Sequence, residues 1–418
     1  MHAMQTRWLV VITTLLAYAS CITGIEAQVL QGEWVDESEA EIDKHRKTDV
    51  TVIVLDREDR AVQGATVRLK QTRHDFLIGL TLPTDRLPPE GLRGLPVYRC
   101  LNAIALDRLT DWATPSVRSE VSPGEVASAW ERAIDPIRVG FGRVVSADPA
   151  RNTDKLSLLS ARDLRDAVLA RIDLAADFAP EPDTYDLYGD LLYQDMIERK
   201  LGTGMLPRMF DHARARRDDA RFGLRVRDVV SLQRTRDLSL AVQKLQIRQI
   251  DFDHVAIEQR FTGQVQPRPL GRMLDQALRP LDVPASFAML EVGGPSDVAA
   301  GLNMETFLRI AFAQPGIEGV YLAGLTGDEM IEQHAALIDA QGKPTPAGQA
   351  LDQLFSKHWR SDERATTDER GNAEARVFTG WYELAATLPD GQVIAGRAYI
   401  PKAERSKLIV LQQTAAED

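Results

Sequence analysis

Residues 286–294 read SFAMLEVGG. A short apolar run closed by two glycines has the composition of a buried strand entering a tight loop. The stretch therefore delivers one carboxylate, Glu291, to the end of a strand. Similar runs recur on both sides of it: FLIGL (76–80), LNAIAL (101–106), IRVGFGRVV (137–145), ARIDLAAD (170–177), FGLRVRDVV (222–230), HVAIEQR (254–260) and GVYLAGLT (319–326). With SFAMLEV that makes about eight candidate strands, the number that closes a (β/α)₈ TIM barrel. Amphipathic segments separate them, some with their own start signals, such as Ser122 with Pro123 and Ser160 with Asp163. This α/β alternation predicts parallel βα units. No GxGxxG or P-loop follows an early strand, which argues against a nucleotide-binding sheet.

The flanks have a different period. TVIVLD (51–56), a polar REDR turn and AVQGATVRLKQT (61–72) alternate as strands do, and so do EARVFTGWYELAATL (374–388), VIAGRAYI (393–400) and KLIVLQQ (407–413). The first two read as an antiparallel pair too small to stand alone. Joined by the carboxyl-terminal strands, they predict a small β-sandwich built from both termini. In GWYEL, one of Trp381 and Tyr382 faces the core and the other the surface. The expected organisation is a signal peptide (1–27), a linker or short surface helix (28–48), amino-terminal strands of the accessory domain (49–75), the barrel (76–358) and carboxyl-terminal accessory strands (359–418).

Arg7, the apolar run Trp8–Ala19 and small residues after it have the layout of an export signal, too short for a stable bilayer span. Cleavage after Ala27 predicts a secreted, periplasmic or cell-surface protein, and lipidation at Cys21 is the alternative. Cys100 reads as a buried small hydrophobe.

With 418 residues, 44% hydrophobic and 27% charged, the chain is ordinary globular protein. Its net charge of −11 and pI near 5.3 argue against a nucleic-acid partner, which requires clustered cations. The one basic concentration, HARARRDDARFGLRVRD (212–228), is interrupted by aspartates and reads as a solvated helix face.

In a barrel, side chains at the carboxyl ends of strands face the functional mouth. That places Asp107, Asp148, Asp177, Asp228, Glu258, Glu291 and Asp328 on an acidic rim. Such a rim suits a polyol whose hydroxyls need acceptors. Many of its members equally suit helix caps and turns. The histidines, among them His212, His254 and His334, form no ligand-spaced cluster, so neither a metal nor a cofactor is expected.

QTRHDFLIG (71–79), SFAMLEVGG, GVYLAGLTGDEM (319–330), GKPTPAGQALDQLFSKHW (342–359) and DERGNAEARVFTGWYEL (368–384) together resemble glycoside hydrolase family 10, the xylanase family. The resemblance implies a (β/α)₈ barrel, a polysaccharide substrate and retaining endo-hydrolysis of β-1,4-xylan by two carboxylates. Glu291 matches the family's nucleophile at the end of strand seven. Asp177, preceded by Ala176, takes the strand-four place of the acid/base Glu and its Asn.

Around the mouth the resemblance thins. The family's strand-two Lys and Trp become Asp111 and Trp112, leaving Trp112 for stacking, and the strand-three His and Trp become Gly142 and Ser146. The strand-five Asn is Arg227, with Asp228 kept. The strand-six Gln and His are Glu258 and Arg260, and the strand-eight Trp is Ala323. Asp107, Trp112, Asp228, Glu258 and Arg260 are thus the substrate-contact candidates. Arg227 and Arg260, if both lie beside Glu291, would attract an acidic sugar such as a uronate. The expectation is a weak or altered glycosidase, or a barrel that binds polysaccharide without cleaving it.

Overall fold

The computed structural model describes residues 32–83, 87–88, 92–107, 123–134, 137–148, 154–177, 182–192, 196–402 and 406–413. It opens with a helix, α1 (32–46), followed by β1 (Lys47–Leu55) and β2 (Thr66–His74). The barrel strands are β3 (Leu77–Pro83), β4 (Ala103–Asp107), β5 (Arg138–Phe141) with its short continuation β6 (Val145–Ser146), β7 (Thr184–Gly189), β8 (Arg221–Arg227), β9 (His254–Phe261), β10 (Ala285–Val292) and β11 (Ile317–Leu322). Between them run α2 (Pro123–Ala133), α3 (Asp154–Leu158), α4 (Ala161–Ala176), α5 (Met196–Leu201), α6 (Met205–Arg216), α7 (Leu232–Ile247), α8 (Pro267–Leu278) and α9 (Asp297–Ala313); α10 (Pro346–Asp352) follows.

The strands pair in parallel around a closed circuit. β11 returns to β3 through Gly319↔Leu77, and β5 and β7 join through Phe141↔Tyr185. The result is a (β/α)₈ barrel. Its strands are buried on both faces, as parallel strands under helices must be; in β10 every residue but Met289 is buried.

One predicted strand is a helix. ARIDLAAD forms the last turns of α4, whose Leu164, Val168, Ile172 and Ala175 recur at helical spacing and are all buried. The Ser160 hydroxyl accepts the Asp163 N–H at the start of the helix, and nothing interrupts it before Asp177. The fourth barrel strand is instead TYDLYG, β7, immediately before Asp190.

The terminal strands form the predicted sandwich: one sheet in the order β13 (Asn372–Phe378), β1, β16 (Lys407–Gln412), the other in the order β12 (Asp362–Thr366), β2, β14 (Gly380–Thr387), β15 (Val393–Ile400). β1 and β2 do not pair with each other. They lie in opposite sheets, because each finds both its neighbours among the carboxyl-terminal strands. Val50, Val52, Val54, Leu69, Tyr382 and Leu384 fill the space between the sheets. Tyr382 is the inward member of its pair, and Trp381 is 47% exposed. Residues 32–46, the linker or short helix of the sequence reading, lie against the barrel: Arg46 donates to the Phe312, Gln314 and Ile317 carbonyls at distances of 2.7, 2.5 and 2.7 Å.

No described helix is long and apolar enough to cross a membrane. Residues 1–31, with the signal and Cys21, lie outside the described residues.

Candidate active site at the barrel mouth

β10 carries a bulge before its last residues. Its register against β9 shifts between Ala288 and Glu291, and Met289 adopts φ 46, with its N–H donating to the Thr81 hydroxyl at 3.1 Å. A bulge re-aims the side chains that follow it. Glu291 follows it and is 5% exposed. Its Oε2 accepts the backbone N–H groups of Ile331 (3.1 Å) and Glu332 (2.8 Å) from the loop after β11, and the Arg260 Nε stands 3.6 Å away. The glycines of SFAMLEVGG let that loop come close: a Cβ on Gly293 would meet the Glu332 side chain at 3.1 Å. At the end of β11, Ala323 clusters with Met330 and Ala335 of the same loop. Loop side chains thus occupy the neighbourhood in which the family carries a Trp.

At the end of β7 stands Asp190, the strand-four carboxylate that the sequence reading assigned to Asp177. Asp190 is 2% exposed and has φ 62, a left-handed conformation that Asp tolerates better than most residues. Its Oδ1 is 3.0 Å from the Arg227 Nε. Its Oδ2 accepts the Ser146 hydroxyl at 2.6 Å and lies 3.8 Å from Arg143 Nη1. Asp177 is the C-cap of α4, its side chain 64% exposed on the outer wall in an ion pair with Arg216. Its side of the helix never reaches the mouth.

Arg225, on β8, is the centre of the cluster and 1% exposed. Its Nη1 lies 2.9 Å from Asp107 Oδ2 and 3.4 Å from Asp186 Oδ2, and its Nε lies 3.5 Å from Glu258 Oε2. The approach to Asp107 is a close ion pair without hydrogen-bond alignment, and the Nη2 of Arg225 has no hydrogen-bond partner among the described residues. Burial alone would pull the guanidinium pKa down. Asp107, Glu258, Asp186 and Asp190 outweigh it and hold the pKa above its ordinary value, so Arg225 is a permanent cation. Arg143 Nη1 reaches Glu258 at 3.2 Å, and its Nη2 reaches Asp107 at 3.7 Å. Arg227 also pairs with Asp148. Asp186 in turn is 2.9 Å from the buried imidazole of His254.

Two glycines make room for this network. A Cβ on Gly142 would lie 2.7 Å from the Asp107 carboxyl carbon, and one on Gly189 would lie 2.6 Å from the Arg143 Cδ. Positions 142 and 189 are where the family resemblance places a His and, with strand four corrected to β7, an Asn. A larger side chain at either position would collide with the network as it stands.

Of the sequence candidates, Asp107 and Glu258 meet in the network, and Glu291 and Arg260 meet across from it. Arg227 turns to Asp148 and Asp190, so the pairing of two arginines on Glu291 is not formed. Asp228 is exposed, at φ 57, its N–H donating to the Glu258 carbonyl at 2.9 Å; it shapes a turn. Trp112 lies outside the described residues. Sequence reasoning missed Asp190, Asp186, Arg143 and Arg225. The signal for Asp190 was TYDLYGD itself, in which Thr184, Tyr185, Leu187 and Tyr188 favour a strand, preceded by Pro180 and Pro182 and ending in a carboxylate.

The fold is a (β/α)₈ barrel with carboxylates and arginines at its mouth, and solved family 10 xylanases are similar to it in fold: a thermostable mutant of a xylanase from Cellvibrio japonicus superposes with a TM-score of 0.54 at 14% identity, covering 68% of this chain and 98% of that one. The native xylanase 10B from Thermotoga maritima gives 0.55 at 11%, covering 68% and 96%. By sequence, an anti-sigma-I factor of Acetivibrio thermocellus is 23% identical over 370 residues (85% of this chain, 47% of that protein), and endo-1,4-beta-xylanase 3 of Arabidopsis thaliana is 23% identical over 369 residues (85% and 48%). The chain thus spans about half the length of these curated relatives. No protein-family model matches it.

Proposed function

We propose that this protein is an exported, xylanase-like polysaccharide binder that has kept the barrel and lost hydrolysis. The observation that carries the reading is the state of Asp190. Retaining hydrolysis requires one carboxyl group open to the glycosidic oxygen and a second open to the anomeric carbon, about 5–5.5 Å apart. Asp190 is 2% exposed with both oxygens engaged by Arg227, Ser146 and Arg143, and Glu291 has one oxygen capped by two loop N–H groups. Neither carboxylate is presented to a substrate as that chemistry needs. Removing general acid assistance alone costs roughly 10²- to 10⁴-fold. The exposed Asp228 and Arg260 are the described groups that we assign to contact with a β-1,4-linked chain, and Trp112, outside the described residues, is the stacking ring that the sequence offers.

A second reading, weak retaining hydrolysis, draws on one fact: both strand ends still bear a carboxylate, Asp190 and Glu291. The mature protein incubated with xylan, mixed-linkage glucan and uronate-rich polysaccharides separates the two. Retardation in affinity gels without release of reducing ends supports the binder. Release that disappears in Glu291→Ala establishes the enzyme and overturns the proposal.

A further inference from the structure

On the face of the barrel opposite the mouth, where β4 begins, a cavity of about 430 Å³ lies between barrel and sandwich. Four arginines line it, Arg73 from β2, Arg93 and Arg99 from the segment before β4, and Arg360 from the turn into β12, together with Tyr98. No acidic residue is among its described lining. In a chain of 61 acidic and 50 basic side chains, four guanidiniums around one cavity without a carboxylate run against the average composition. Like charges so placed repel one another unless an anion lies between them.

Among the described residues, the hydrogen-bond partners of Arg93 and Arg360 are neutral. Arg93 donates to the carbonyls of Arg132 and Ala133, and Arg360 Nε to the Gln71 carbonyl at 3.1 Å. Arg99 has no hydrogen bond or ion pair among the described residues. Each guanidinium carries five donors, and those of the exposed Arg93 and Arg99 that the protein does not use face solvent, open to a ligand. The Tyr98 hydroxyl is buried beside the Arg93 guanidinium, and no acceptor for its proton stands among the described residues; burial pushes its pKa up, opposed by Arg93. A buried donor left unpaired costs stability, and a ligand oxygen at this place would satisfy it.

We infer that this cavity is an anion site, which takes the sulfate, phosphate or carboxylate group of a sugar-sized ligand in the fork donors of Arg93, Arg99 and Arg360. Planar guanidiniums match such oxyanions bidentately. The inference does not depend on the polysaccharide reading, since none of its residues lies at the mouth.

Calorimetry and thermal unfolding with sodium sulfate, inorganic phosphate and glucuronate, each at ionic strength matched with chloride, test it. The expected result is saturable binding of at least one probe with a rise in Tm, weakened about tenfold or more in Arg99→Ala. Asp177→Asn, on the outer wall of the barrel, should bind as wild type does. Preference for sulfate or phosphate identifies an ester; preference for glucuronate identifies a sugar carboxylate. Arg99→Ala should also be no less stable than wild type in chloride alone, because it relieves repulsion. Stabilisation that follows ionic strength only, binding unchanged in Arg99→Ala with Arg360→Ala, or a Tm loss of Arg99→Ala in chloride alone would overturn the assignment.

Discussion

The Nε of Arg227 lies 3.0 Å from Oδ1 of Asp190, so the carboxylate at the end of the fourth barrel strand is held by the fifth strand and buried there. What a hydrolase needs free, this chain has bound. The neighbouring side chains are packed as closely: Asp107 takes up the space that Gly142 leaves, and Arg143 the space that Gly189 leaves.

Removing the central cation tests how much of the mouth's stability passes through it. Arg225→Met leaves Asp107, Asp186 and Glu258 without their shared partner, and breaking a buried ion pair on one side costs about 3–5 kcal/mol. Urea denaturation should show that loss. Combining the change with Asp107→Asn should recover part of it, because residues in one network are not additive. A loss below about 1 kcal/mol would mean that water solvates the acids once Arg225 is gone.

Restoring the family residue at position 189 should not restore chemistry. A Cβ there meets the Arg143 Cγ at 2.7 Å and Cδ at 2.6 Å, and Arg143 cannot swing aside while bound to Glu258. Gly189→Asn is therefore expected to destabilise by about 1–3 kcal/mol, as overpacking does, and to release no reducing ends from xylan. New hydrolysis in that variant would show that the arginine cluster gives way to a substrate.

Part of this was legible in one sequence and part was not. The barrel was legible because seven of its strands announce themselves as short apolar runs, and the sandwich because its strands alternate. Strand four was misread since ARIDLAAD, taken alone, passes for a strand; only its continuity with the capped helix beginning at Ser160 shows otherwise. Glu291 was legible because the apolar run and the two glycines that mark the end of its strand are local. Arg225 was not, because it sits in a run of charges that reads as solvated surface. Its acids come from β4, β7 and β9, and only barrel closure brings them to it.

Asp177 gives the contrasting case. Its ion pair with Arg216 is exposed, and such pairs contribute little. Asp177→Asn should change stability by less than about 0.5 kcal/mol and leave polysaccharide retardation as it is. A lost activity or binding in this variant would return the residue to the site.

Glu291 holds the loop after β11 through the N–H groups of Ile331 and Glu332. Glu291→Ala should cost about 1–3 kcal/mol, the range for buried donors left without an acceptor. Hydrogen exchange should show the amides of Ile331 and Glu332 losing protection while those of β10 keep theirs. A pure nucleophile would show neither effect.

His74 sets a pH dependence that can be signed in advance. Its ring stands edge-on to Phe312, Phe355 and Phe378, with centroids 6.1, 5.6 and 5.7 Å away. Burial first, then the nearby Arg360, push its pKa down to about 3 from an ordinary 6.5. Between those values the unfolded chain binds a proton that the folded one does not. Its stabilising contribution is therefore complete above about pH 6.5 and is lost as pH falls towards 3. From pH 6.5 to 5, before most carboxylates titrate, one such proton amounts to on the order of 2 kcal/mol. In His74→Phe the ring cluster is kept and the proton is gone, so the slope of unfolding free energy against pH should fall by about one proton in that window. An unchanged slope would mean that the folded protein protonates His74 as readily as the unfolded chain does.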